Sequence, residues 1–284
     1  MATPARVAKG TIADKTGATT LTISLSLARR LLVAGISWND NASGEPSVKW
    51  GNKTLARVTA IATANGISTA QYAFRRRRPS ATKNLVATWS GATIPTAKAM
   101  WATSWSNVAT RDLLSSATQA ATGAPNAGAA QTSNFAVEAF TAAMGQEGPL
   151  NNDTRGTASG GWTLGQEAGT NGSPPASNIV CAELYKVTTA TESAQAALTG
   201  ATSRDWASVM STWREESLER FNIIGYDWDS LEDYAETNNV DPGDLLMRYN
   251  PLLGRNEMYE VDVAANGTLR QVWVDDDATD WTAP

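Results

Sequence analysis

Leu31-Leu32-Val33-Ala34-Gly35-Ile36-Ser37-Trp38 is the stretch whose reading decides the fold. It is a short apolar run bounded by Arg29-Arg30 on one side and Asn39-Asp40-Asn41 on the other. That length and those borders fit a strand buried on both faces. Immediately before it, Leu21, Ile23, Leu25 and Leu27 alternate with Thr20, Thr22, Ser24 and Ser26. Period-two alternation is the mark of a strand with one face in a core and one in water. A half-buried strand followed by a fully buried one already suggests stacked sheets.

The same texture continues outward. Further strands are predicted over 48–50, 55–62, 69–75, 84–89, 98–105, 135–143, 162–167, 179–187 and 206–214. Turn material separates them: Ser43-Gly44-Glu45-Pro46, Gly51-Asn52, Asn65-Gly66, Gly148-Pro149 and Gly172-Ser173-Pro174-Pro175. Many short strands without an amphipathic helix between them predict an antiparallel sandwich or barrel, not βαβ units. The Ala/Gly/Thr/Asn-rich segments 115–133 and 149–161 read as long surface loops.

The chain has 284 residues, 42% of them hydrophobic and 18% charged, one cysteine and no histidine. It is large enough for a substantial core and too apolar for general disorder. Cys181 alone cannot build a disulfide framework or a cysteine-based zinc site. Without histidine there is no Ser-His-Asp triad, no Cys-His pair and no histidine-ligated metal. No catalytic residue, cofactor or metal is therefore assigned, and a non-enzymatic protein is expected.

The net charge of −5 is a remainder of two opposed parts. Residues 1–214 carry 19 basic and 11 acidic side chains, a net of +8; residues 215–284 carry 4 and 17, a net of −13. The split predicts two domains, 1–214 and 215–284, with different surroundings. The first residues lack a following apolar h-region, so no secretory signal is expected. Ser24, Ser26, Arg29 and Arg30 interrupt the most apolar early stretch, so no membrane span is expected either.

In the second domain, Leu231, Tyr234 and Ala235 at helical spacing predict a first helix, with Ser230 or Asp229 as its cap. Asp241-Pro242 predicts the start of a second, running to about Tyr249 before Asn250-Pro251. A hairpin is predicted over 258–263 and 268–274 around Asn266-Gly267. Residues 275–284 form an acidic tail.

Two resemblances add to this reading. The succession Leu31 to Ser37, Val48-Lys49-Trp50-Gly51-Asn52-Lys53-Thr54-Leu55, Ala70-Gln71-Tyr72-Ala73-Phe74, Asn84 to Gly91 and Ala102-Thr103-Ser104-Trp105-Ser106-Asn107-Val108 resembles a jelly-roll-like β-sandwich domain. That domain recurs in bacteriophage virion proteins of tail, fibre and decoration type, and in some bacterial surface proteins. The resemblance implies one sandwich over roughly residues 10–214, mostly architectural, sometimes receptor- or sugar-binding. The segment Trp228-Asp229-Ser230-Leu231-Glu232-Asp233-Tyr234-Ala235, then Asn239-Val240-Asp241-Pro242-Gly243-Asp244-Leu245-Leu246 and Asn250-Pro251, is similar to a LysM module. It implies a small α+β fold that binds N-acetylglucosamine polymers or serves as a structural knob in phage tails. Trp228-Asp229 stands where that family has Gly-Asp, and Met258-Tyr259-Glu260-Val261 lacks its Gly-Gln-x-Leu.

Arg75-Arg76-Arg77-Arg78 reads as an anion-binding patch, as the solvated end of a strand before Pro79, or as a dock for a neighbour's acidic tail. An extended run sends alternate arginines to opposite faces, which argues against a one-sided nucleic-acid surface. The complementary interface would be Asp275, Asp276, Asp277, Asp280 and Trp281. Trp50 beside Gly51, Trp162 after Gly160-Gly161 and Trp281 in the tail are the tryptophans expected to be exposed, and the first two are the candidate glycan contacts. Paired carboxylates for glycoside hydrolysis could in principle come from among Asp112, Glu138, Asp153, Glu167 and Glu183, where spacing selects no pair.

The sequence thus points to a structural bacteriophage virion component, tail- or baseplate-associated, that homo-oligomerises and meets other virion proteins after assembly in the host cytoplasm. Head decoration, a fibre, and an adhesin for host surface glycan are the alternatives.

Overall fold

The computed structural model describes residues 3–26, 31–39, 44–59, 61–64, 66–75, 82–108 and 110–214, with the strand segments 221–224, 245–250, 255–261 and 269–274. The chain divides into two compact units, Met1–Glu216 and Ser217–Pro284.

The first unit is built of strands. In chain order they are β1 (Ala5–Asp14), β2 (Thr20–Ser26), β3 (Leu31–Asn39), β4 (Ser47–Trp50), β5 (Lys53–Thr54), β6 (Ala56–Arg57), β7 (Ala62–Ala64), β8 (Ile67–Arg75), β9 (Thr82–Thr88) and β10 (Lys98–Ser106). After Asn107 the chain continues with β11 (Thr110–Thr122), β12 (Gln131–Thr132), β13 (Glu138–Glu147), β14 (Thr157–Ala158), β15 (Thr163–Gly169), β16 (Ile179–Val187), β17 (Ser193–Ala194), β18 (Leu198–Thr199) and β19 (Arg204–Arg214).

Three antiparallel sheets result. The central one has the order β1-β10-β3-β8-β6, with β7 also on β8; β2-β9-β4-β5 lies on one of its faces and β11-β19-β13-β16-β15 on the other. The two-stranded ribbons β12-β17 and β14-β18 cover the far side of the third sheet. Strand β3 shows why the middle layer is buried on both sides. Leu32, Ala34, Ile36 and Trp38 join one core with Leu21, Ile23 and Leu25 of β2, while Leu31 and Val33 join a second with Ala139, Ala143 and Val209. A third core holds Phe140, Ala142, Met144, Leu184 and Met210.

The layer between the central and third sheets is partly polar, and a cluster of its polar groups pair with one another. Gln71 donates from Nε2 to Thr141 Oγ1 (3.2 Å) and accepts at Oε1 from Ser211 Oγ (2.9 Å). Trp213 Nε1 also donates to Thr141 Oγ1 (3.1 Å). Ser37 and Thr69 share a hydrogen bond of 2.9 Å beside the buried thiol of Cys181, whose pKa burial pushes up to about 12. Gly145 allows the close approach between the sheets, and Gly35 leaves room for the Trp101 ring of the neighbouring strand in its own sheet. A Cβ on Gly145 would lie 1.9 Å from Thr69 Oγ1, and one on Gly35 would lie 2.3 Å from the Trp101 ring.

Two expectations change here. The segment 115–133 is not all loop, because β11 runs through it to Thr122 as an edge strand on β19. Its Ser, Ala, Thr and Gln residues carry no apolar alternation, so nothing in that stretch marks a strand, and the ladder to β19 alone defines it. In the second unit, β20 (Phe221–Ile224), β21 (Leu245–Asn250), β22 (Arg255–Val261) and β23 (Leu269–Val274) form a sheet in that order. The predicted helix ending near Tyr249 is therefore overturned over 245–250. That stretch is a strand, parallel to β20 and antiparallel to β22, and two ladders outweigh local helix preference. The β22–β23 hairpin matches the predicted pair of strands. The first predicted helix and the acidic tail lie outside the described residues.

Gly145→Ala is expected to cost about 1–3 kcal/mol through overpacking between the sheets. Urea denaturation measures it, and an unchanged midpoint would contradict the close approach.

Candidate functional site

The third sheet gathers charged side chains at both ends of β13, ten residues and roughly 30 Å apart. At its start, Glu138 is fully buried and Asp112 stands on the bulge of β11. Both lie at the end of β19, which runs between their strands. Glu138 Oε1 accepts the Phe135 amide (3.0 Å), and its backbone amide donates to Thr188 Oγ1 (3.0 Å). Asn134 Nδ2 donates to both oxygens of Asp112 (3.0 and 2.9 Å). The Thr212 hydroxyl also supports the Glu138 carboxylate. Burial pushes the Glu138 carboxyl above its ordinary range, the Phe135 amide opposes this, and contact with Asp112 adds to it. Two carboxyls in hydrogen-bond contact need one proton between them, so the pair holds together best while Glu138 is protonated.

Other charges around Glu138 are engaged elsewhere. Arg214 places its guanidinium 4.8 Å from the Phe135 ring centre, Arg111 donates to Val58 O (3.0 Å), and Lys186 pairs with Glu192 (2.6 Å). Phe135 and Leu114 are the exposed large hydrophobic residues among those described, at 41% and 38%, and both belong to this end of the sheet.

At the far end of β13, Arg204 clasps Asp153 through Nε–Oδ2 (2.8 Å) and Nη2–Oδ1 (3.3 Å). Arg155 is 8% exposed and donates to Gln146 Oε1 (2.9 Å) and Pro149 O (2.7 Å). These bonds hold the 148–156 loop on the sheet. Burial lowers the Arg155 pKa and raises that of Glu167, each partly offset by the attraction between them. Glu147 is raised by burial and next by Asp205, against the pull of Arg204. Desolvation outweighs the ion pairs at all three groups.

Of the five carboxylates singled out by residue type, the structure brings Asp112 and Glu138 together. Asp153 goes to Arg204 and Glu167 lies in the field of Arg155. Glu183 is bound by Arg6, with Nε–Oε1 at 2.9 Å and Nη2 on Oε2. Glu147, Arg155, Arg204 and Asp205 escaped the sequence reading because they come from three separate stretches that only the fold brings to one end of β13. Among the described residues no group of three acidic or cysteine side chains is placed to hold a metal ion, and no helix is long and apolar enough to cross a membrane.

The exposure expected of Trp50 and Trp162 is corrected. Trp50 is fully buried against Phe74, under the Lys83 ammonium, and Trp162 is 6% exposed, edge-on to Phe140 at 5.9 Å. Gly160 and Gly161, with φ of 64° and 77°, make the turn that folds the Trp162 ring back onto the sheet. The glycines that suggested an open loop are what bury the ring, so neither indole forms a platform for sugar. Arg75 ends β8 half-buried; Arg76, Arg77 and Arg78, like Asp275, Asp276, Asp277, Asp280 and Trp281, lie outside the described residues.

Because the Glu138 pKa is raised by folding, its stabilising contribution is full below the ordinary carboxyl range and is lost as pH rises through its displaced midpoint. Glu138→Gln keeps an acceptor for Phe135 and offers Asp112 a permanent donor. It is expected to match the parent near pH 4 and exceed its stability at pH 8 by about 1 kcal/mol. Thermal melts across pH check this, and a Glu138→Gln variant less stable than the parent at pH 8 would refute it. Arg204→Gln is expected to move the Glu147 midpoint further up, read from its carboxyl carbon shift in an NMR titration; a downward move would contradict the arrangement.

No protein-family model, no curated protein and no solved structure matches this chain.

Proposed function

We propose that the chain is a structural subunit of a bacteriophage virion whose work is assembly, with a basic body meeting the acidic C-terminal unit of a neighbouring copy. The observation that carries this reading is the coincidence of charge and architecture. The compact unit 1–216 holds 19 basic and 13 acidic residues, a net of +6, and 217–284 holds 4 and 15, a net of −11. Opposite charges on two units of every copy favour head-to-tail encounter and fix its register. The strand order also supports the jelly-roll-like sandwich expected of such subunits. Sheets β1-β10-β3-β8 and β2-β9-β4-β5 face each other across one core, as in an eight-strand roll.

The tail or baseplate position rested on the LysM-like segment, and β21 now replaces the second helix of that pattern. We therefore place the role in the virion without choosing tail, baseplate, head or fibre. With Trp50 and Trp162 buried, an adhesin reading has no indole of theirs to rest on.

Screening shortens the range of such attraction from about 10 Å at 0.1 M salt to about 3 Å at 1 M. Sedimentation of the full chain is expected to show self-association at low salt that fades toward 1 M, and deletion of residues 275–284 is expected to weaken it. A protein monomeric at low salt, or one whose association ignores both salt and the deletion, would overturn the proposal.

A further inference from the structure

The two large sheets that face each other in the first unit are built alike, strand for strand. The order β1-β10-β3-β8-β6 repeats as β11-β19-β13-β16-β15, and every neighbouring pair is antiparallel in both. The outer strands repeat as well. β2 pairs β9 as β12 pairs β17, and β4 pairs β9 as β14 pairs β18.

The likeness extends to single rungs. Thr11, Trp101, Gly35 and Gln71 lie in one row across the central sheet, and Ser116, Val209, Ala143 and Glu183 lie in the matching row of the other. Two rungs on, Ala13, Ala99, Ser37 and Thr69 match Thr118, Ala207, Gly145 and Cys181. At the strand ends Arg6 and Trp105 match Arg111 and Trp213. Each set also begins and ends on one rung, Ala5 beside Ser106 and Thr110 beside Arg214, so the ends of each set are adjacent.

The packing between the sheets follows the same exchange. Arg6 crosses from the first set to Glu183 in the second, against Gly165. Arg111 crosses from the second set to the carbonyl of Val58, which pairs through its own amide with Gln71. Those destinations correspond: Gln71 is the counterpart of Glu183 in the matching row, and Val58 and Gly165 each follow the matching residue of the fifth strand. Near the middle, Ser37 and Thr69 of one set meet their own counterparts, Gly145 and Cys181, in the other.

We infer that residues 5–106 and 110–214 are two copies of one folding unit, joined by Asn107 to Ala109, and that the face between them is a two-fold homodimer interface held within a single chain. A two-fold contact is self-complementary: where a residue of one copy meets a second residue in the other, the counterparts of the two also meet, with the copies exchanged. The Arg6 and Arg111 crossings and the central meeting of the four small residues have that form. The second copy has kept the packed sheet and reduced its outer sheet to two ribbons.

The interface should then hold the copies without the link. A protease recognition sequence inserted after Val108 in the full chain, and cut after folding, tests this. The uncut insertion protein serves as the control for folding. The cut protein is expected to elute as one particle, and its two pieces, separated in urea, to rejoin one-to-one on dilution. Arg6→Ala and Arg111→Ala are each expected to raise the dissociation constant of the cut pieces, tenfold or more for Arg6, whose charged partner would be left buried. Pieces that part under native conditions while the uncut protein stays folded, that fail to rejoin, or whose affinity neither substitution changes would overturn the inference.

Discussion

A sheet with no face in water must pair most of the polar groups it buries, and that constraint governs the alignment of layers in the first unit. Gln71 is the centre of it. Its side chain is fully buried, and its amide is matched on one side by Thr141 and on the other by Ser211. Leaving one such group unpaired would cost on the order of 1–3 kcal/mol, so the two sheets settle where the hydroxyls meet the amide. Apolar packing brings the layers together; these hydrogen bonds select one alignment among many. The small residue at Gly145 follows from the same condition, because the donors reach across only at close range.

Much of this architecture was legible in the sequence, strand by strand. The alternation from Thr20 to Ser26 and the apolar run from Leu31 describe β2 and β3 closely, since one strand has a wet face and the other has none. The stacking of three layers was not legible, because period-two patterning says how many faces are covered and not by which sheet. β1 and β11 were missed for a shared reason. Neither alternates large apolar with polar residues along its length. The stretch at 245–250 read as helix because its ladder partners lie elsewhere in the chain.

The charged groups divide in a similar way. Residue type alone named Asp112 and Glu138, yet their meeting depends on the order β11-β19-β13, which no spacing of 26 residues reveals. Arg155 and Arg204 gave no signal because an arginine in a loop and one at a strand end look like ordinary surface charge. Trp50 and Trp162 went the other way. Flanking glycines resemble open turns in sequence, and in three dimensions they return the ring to the core.

Cys181 has a use that follows from where it sits. The thiol is sealed at the middle of the contact between the two facing sheets, and burial keeps it un-ionised across the working pH range. It cannot meet a water-borne alkylating reagent until those sheets come apart. Being the single cysteine of the chain, it is a clock already installed at the deepest seam, and its rate of modification counts how often that seam opens.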